Sequence, residues 1–167
     1  MLSFLFRGLT AERPAGAALF DAVTAEARRR SWYVEGEVPD TLDGRFAVLA
    51  TITALALVRI ELEGDAGNAA SVALTERFIQ VMESEHRELG LGDPTLGKTV
   101  RKLVAMLARR VELWREADGD WIEASRAGLY KGEVGEAALK HSADALLGLV
   151  QRLQATPLAE LEEGRIA

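Results

Sequence analysis

Cysteine is absent from the 167-residue chain, and its absence removes disulfides, thiolate metal sites and thiol nucleophiles together. A chain built this way fits a reducing compartment. Histidine occurs twice, at His86 and His141, so no Ser/His/Asp arrangement stands out and nucleophilic catalysis has few candidates. A basic excess is also missing. The formal net charge is −6, which argues against a nucleic-acid partner and would repel anionic lipid headgroups. Long apolar runs are lacking as well. The longest uncharged stretch, Phe46 to Val58, falls short of the roughly 20 residues that span a bilayer, and MLSFLFR at residues 1–7 is too short for a secretory leader.

What is present is ordinary for a soluble globular chain: 49% hydrophobic residues, 28% charged and four prolines. The length suits one domain, residues 1–167 with a core over about 15–155. No repeat, low-complexity tract or linker divides it. Helical period dominates. Residues 15–30 set Leu19, Phe20, Val23 and Ala27 on one face and end in Arg28-Arg29-Arg30, where cations suit the negative end of a helix. Residues 31–46 read as a loop in which Trp32 and Tyr33 could form a contact surface; Asp40 or Thr41 then caps a helix over about 43–62. That helix is apolar around its whole circumference and is therefore expected to be central. Further helices are expected over 69–89, 94–116, 120–130 and 135–155, the last with His141 opposite its apolar stripe, followed from Pro157 by a short turn of helix and a loose tail. No segment alternates with period two. The fold class is all-α, an irregular bundle of about five or six helices.

GLGDPTLGKT, residues 90–99, matches the phosphate-loop pattern G-x-x-x-x-G-K-[ST] through Gly92, Gly97, Lys98 and Thr99. A working loop of this kind joins a buried strand to a helix, whereas the preceding ERFIQVMESEHREL is helical. Gly90 or Gly92 suits the left-handed residue that ends a helix, Asp93 suits an N-cap, and Pro94 suits the first helical position. The stretch reads as a corner between two helices, with Lys98 turned to solvent or a partner.

Glu83 and His86 stand one helical turn apart, the spacing that lets both reach one metal, but a di-iron bundle needs two such pairs and two further glutamates. The pair reads as a solvated helix flank, and a metal-dependent helical enzyme remains the alternative. Glu85 falls in the middle of the stripe formed by Leu74, Phe78, Val81 and Leu89, with Glu88 on its edge. A buried carboxylate is costly unless paired, and Arg110, at the edge of the next helix's apolar face, is the expected partner. These charges form either a rim of the core or a recess where a partner segment docks.

Two blocks carry a family resemblance. VPDTLDGRF (38–46) and RELGLGDPTLGK (87–98) resemble the paired signatures of the ubiquinol–cytochrome c chaperone family, in matching order and spacing over roughly residues 17–130. The chain departs from that pattern at Val81, Glu83 and His86, and Ala108-Arg109-Arg110 keeps only the arginine of a Tyr-Gly-Arg. The resemblance implies an all-α, non-enzymatic assembly factor without cofactor or metal. Its client would be cytochrome b or a related membrane subunit, with room for a small helper subunit and at most peripheral contact with the inner membrane. A bacterial, cytoplasmic member is the version expected. The contact surface is expected around Asp40, Arg45, Arg87, Glu88, Asp93, Lys98 and Arg110. Each has a structural counterpart: Asp40 and Asp93 serve equally as caps, and Arg45, Arg87 and Arg110 as internal ion-pair partners.

Overall fold

The computed structural model describes residues 14–88, 96–117 and 119–167, the side chains of 86–88, 96 and 99 aside. Among them the regular structure is helical: α1 (Ala17–Ala27), α2 (Ser31–Val34), α3 (Leu42–Glu61), a 3₁₀ turn (Gly64–Gly67), α4 (Asn68–Glu88), α5 (Leu96–Arg115), α6 (Trp121–Leu129), α7 (Glu136–Ala155) and α8 (Leu158–Glu162). No strand occurs among the described residues. The expected all-α class holds; α8 is the short helical turn expected from Pro157, and α2 is a helix that the sequence did not suggest.

α3 is the axis of the bundle. It packs against α1, α4, α5, α6 and α7, and Val48, Ala50, Ile52, Ala54, Leu55, Ala56 and Ile60, which face in every direction, are all buried. Alanines at four of its core positions (Ala47, Ala50, Ala54, Ala56) let neighbouring helices approach closely. Its start is fixed by Thr41, whose Oγ1 accepts the Gly44 backbone N–H at 3.2 Å; the side chain of a threonine cap contributes about 1 kcal/mol. Gly44 is required for packing. A Cβ there would drive into the Pro39 carbonyl and press on Val38, which is itself buried.

The segment read as a loop with a contact surface is instead a clamp on α1. α2 is a single turn, too short to show a period in the sequence. Trp32 is 1% exposed; its Nε1 donates to the Glu26 carbonyl at 2.9 Å, and the Tyr33 hydroxyl donates to the Ala27 carbonyl at 2.9 Å. Both acceptors belong to the last turn of α1, where backbone donors run short, and the Glu26 carbonyl also takes the Arg29 backbone N–H at 3.2 Å. The buried Glu26 carboxylate is held by Arg29 at 3.0 Å and by Arg152 of α7 at 3.2 Å, so Arg152 fastens α7 to α1 while one member of the arginine run closes the pair from within its own segment.

Three further expectations are corrected. The stretch from Pro157 is a docked element, not a loose tail. Leu161 of α8 is fully buried, and the Ala167 N–H donates to Thr156 Oγ1 at 3.0 Å. Gly164, at φ +79°, lies so close to the Ala18 carbonyl that a side chain would collide. Arg59 explains why α7 can end there: its guanidinium donates to the Leu153 and Thr156 carbonyls, each at 3.0 Å, and pairs with Glu63 at 2.6 Å. His141 is half-buried with an Nε2 that is buried and unpartnered, because α7 packs on both α3 and α6 and buries a wide arc. Glu85 is exposed. The buried row of α4 follows Ala70, Leu74, Phe78 and Met82, and Glu85 lies beyond that row.

The Tyr130 hydroxyl donates to the Gly36 carbonyl at 2.6 Å and so accepts from Ser142 Oγ at 2.7 Å, tying the approach to α3 onto α7. Burial raises the phenols of Tyr33 and Tyr130 above their ordinary value of 10.0. The folded chain therefore holds these protons more tightly than the unfolded chain, and the contribution is complete below pH 10 and lost as pH rises through the folded values.

Gly44→Ala is expected to destabilise the fold by about 3 kcal/mol. Gly148→Ala, at a mid-helix position with open space around it, is expected to stabilise by about 0.5–1 kcal/mol; urea unfolding of both variants checks the pair. Unfolding free energy measured from neutral to alkaline pH is expected to decline beyond the ordinary tyrosine value. Tyr130→Phe is expected to make that decline shallower while costing about 1 kcal/mol at neutral pH through the lost hydrogen bond.

Candidate functional site

The start of α3 gathers several of the residues singled out in the sequence. Asp40 precedes the Thr41 cap and does not cap; it accepts a hydrogen bond from Arg45 Nε at 2.6 Å, one turn on, with both side chains exposed. That bond holds the Asp40 carboxyl below, and the Arg45 guanidinium above, its ordinary range. Asp43 in the first turn takes a second cation, Lys131, at 2.7 Å. Between these pairs and the core stands Phe46, half-buried, its ring 6.1 Å from that of Phe78. Leu42, a turn earlier on the same face, is 71% exposed.

Arg110 reaches this place from α5. Its guanidinium carbon lies over the Phe46 ring, 5.8 Å from the centroid, within the range of a cation–π contact. One Nη donates to the Gly128 carbonyl at 3.4 Å, in the last turn of α6, where a cation meets the negative end of a helix. Burial lowers the pKa of the group, and its Nε is buried without a partner. The expected carboxylate partner across the α4–α5 pair is not Glu85, which is exposed; among the described residues no carboxylate comes within ion-pair distance of Arg110. The helix end and the aromatic face do part of the work that an acid was expected to do.

Gly128 and Thr51 complete the junction and were not singled out in the sequence. Thr51 Oγ1 donates to the same Gly128 carbonyl at 3.4 Å, and a Cβ on Gly128 would stand 3.3 Å from both Thr51 Oγ1 and Trp114. A lone glycine inside a helical pattern was the available hint.

Of the remaining site residues, Lys98 stands apart from this group. Lys98 is exposed in the first turn of α5, about 18 Å along the helix axis from Arg110. Arg87 and Glu88 belong to the last turn of α4, with side chains outside the described set, and Asp93 lies outside the described residues altogether. The phosphate-loop match runs from the stretch after α4 into α5, so a helix precedes it up to Glu88. Glu83 is half-buried on α4, the side chain of His86 is outside the described set, and no group of three or more His, Asp or Glu among the described residues converges on a metal position. No helix among the described residues is long and apolar enough to cross a membrane.

Comparison with known proteins places this architecture. The profile of the ubiquinol-cytochrome c chaperone family matches residues 34–166, a longer span than the two sequence blocks had suggested. The crystal structure of the Cbp3 homolog from Brucella abortus superposes with a TM-score of 0.78 at 28% identity, covering 100% of this chain and 96% of that one. No curated protein matches the chain. A match across most of the chain, including the Thr41-capped start of α3 and the Arg110 junction, establishes that this protein belongs to the ubiquinol-cytochrome c chaperone family.

Proposed function

We propose that the chain is a non-enzymatic assembly factor that holds cytochrome b, or a closely related membrane subunit, until it enters the ubiquinol–cytochrome c reductase complex. The observation that carries this reading is the family match over residues 34–166. The chaperone role follows from that membership; the client is the proposed part. The protein acts on the cytoplasmic side, with peripheral contact at the inner membrane, and leaves room for a small helper subunit.

The surface at the start of α3 supports the reading chemically. Leu42 and Phe46 offer apolar contact next to the exposed Asp40–Arg45 pair, and an amphipathic or apolar helix can be held by such a surface. Charged groups at the rim set orientation more than affinity. Asp40, Arg45 and Arg110 form one part of the proposed contact surface. Arg87, Glu88, Asp93 and Lys98 form a second part around the α4–α5 corner. The alternative of a generic interaction module predicts a different client.

The tagged chain is expected to capture cytochrome b from detergent-solubilised native membranes well above a control bait, as read by mass spectrometry; recovery no greater than with the control overturns the client assignment. Arg45→Glu, an exposed substitution with little cost to the fold, is expected to reduce that capture severalfold. Normal cytochrome b levels in a deletion strain, together with loss of another complex, would instead favour the generic module.

A further inference from the structure

α5 carries a charge distribution unlike that of the rest of the molecule. Its sequence LGKTVRKLVAMLARRVELWR contains six cations and a single acid, Glu112, in a chain whose net charge is −6. Two of the cations are accounted for. Arg115 pairs with Glu61 at 2.9 Å and with Glu112 at 2.5 Å, which also occupies that acid, and Arg110 is half-buried over Phe46. The other four, Lys98, Arg101, Lys102 and Arg109, are all exposed. None has a carboxylate within ion-pair distance among the described residues. Elsewhere exposed cations such as Arg45, Lys131, Lys140 and Arg165 are paired.

The four share one side of the helix. At about 100° per residue they fall within an arc of about 100° opposite the core-facing row of Leu103, Leu107, Val111 and Trp114, and they span about 16 Å of helix axis. The alanine at position 105, also exposed, leaves the cations standing proud. We infer that this ridge is an electrostatic docking surface for anionic phospholipid headgroups, seating the chaperone on a membrane with α5 facing the bilayer.

The arrangement suits this occupant. Four cations along the outer face of one helix, unpaired among the described residues, meet a sheet of anionic headgroups together, and competition by a free acidic peptide as strong as that by anionic vesicles would reassign the ridge to a peptide. The aromatic residue of α5, Trp114, is buried, so no stacking platform for nucleic-acid bases lies along the ridge. The chain's overall negative charge does not oppose the contact. At physiological salt, charges more than about 8 Å away are largely screened, so headgroups meet the ridge while the acidic remainder faces water. The inference does not depend on which client is held.

The test is co-sedimentation of the full chain with vesicles of phosphatidylcholine alone and of phosphatidylcholine with phosphatidylglycerol, without any client. Binding is expected to require the anionic lipid and to weaken as salt rises. Neutralisation is expected to weaken partitioning about fivefold per cation, tested in the variant Lys98→Gln/Arg101→Gln/Lys102→Gln/Arg109→Gln. Arg28→Gln/Arg30→Gln, which removes two exposed cations on α1's end, is expected to bind like wild type. Equal binding to both vesicle types overturns the proposal, as does a quadruple variant that binds undiminished. Retention on polyuridylate at a salt concentration that releases the protein from vesicles assigns the ridge to RNA and likewise overturns it. Far-UV circular dichroism verifies the fold, and if the quadruple variant is unfolded, Lys98→Gln/Lys102→Gln carries the same comparison at about a 25-fold loss. Capture of cytochrome b from detergent extract, with no bilayer present, is expected to survive Arg101→Gln/Lys102→Gln/Arg109→Gln, which leaves the proposed client contact Lys98 in place.

Discussion

Burial of α3 on every side is the constraint from which the rest of the architecture follows. A helix surrounded by α1, α4, α5, α6 and α7 has no solvent face over most of its length, so its polar groups must be absorbed internally. Thr53 bonds back to the Leu49 carbonyl at 2.8 Å, and Thr51 turns to Gly128. Arg59, whose side chain is 10% exposed, is spent on the end of α7. Small residues keep the shell close, and closeness explains why Gly44 cannot carry a side chain and why one at Gly128 would press on Thr51 and Trp114. The motif at the start of α3 is therefore scaffold as well as surface: Val38, Thr41 and Gly44 fix the helix start, while Asp40, Arg45 and Leu42 remain outside.

Two arginines close helix ends from a distance. Arg59 reaches the last carbonyls of α7 and Arg110 the last turn of α6. Both place a planar donor array where a helix leaves carbonyls unsatisfied. They differ in completeness. Arg59 is fully engaged, with an acid beside it, whereas Arg110 leaves its Nε without a partner. A desolvated guanidinium in that condition leaves one donor over at the edge of the Leu42–Phe46 surface.

Much of the fold was legible because the long helices have strong periods and clear ends. The Pro-Asp-Thr start of α3, its apolar circumference and the two helices on either side of residues 89–95 came directly from local chemistry. The misses have physical causes. α2 is one turn, and Trp32 was buried by tertiary packing that no local pattern reports. Glu85 was placed on a stripe by angular projection alone, which cannot tell where the row of neighbours stops. The site was less legible than the fold. Arg110 meets Phe46 and Gly128 through contacts between helices distant in sequence, and the basic ridge of α5 was hidden inside a net negative total that averages over all surfaces.

The docking of α8 reaches further than its own five residues. Through Leu161 and the near-contact of Gly164 with Ala18, the last helix is sewn to the first, so the described chain forms a closed circuit with no terminal piece that can peel away alone. A side chain forced in at Gly164 would therefore be felt at both ends of the described chain, loosening α1 as well as α8.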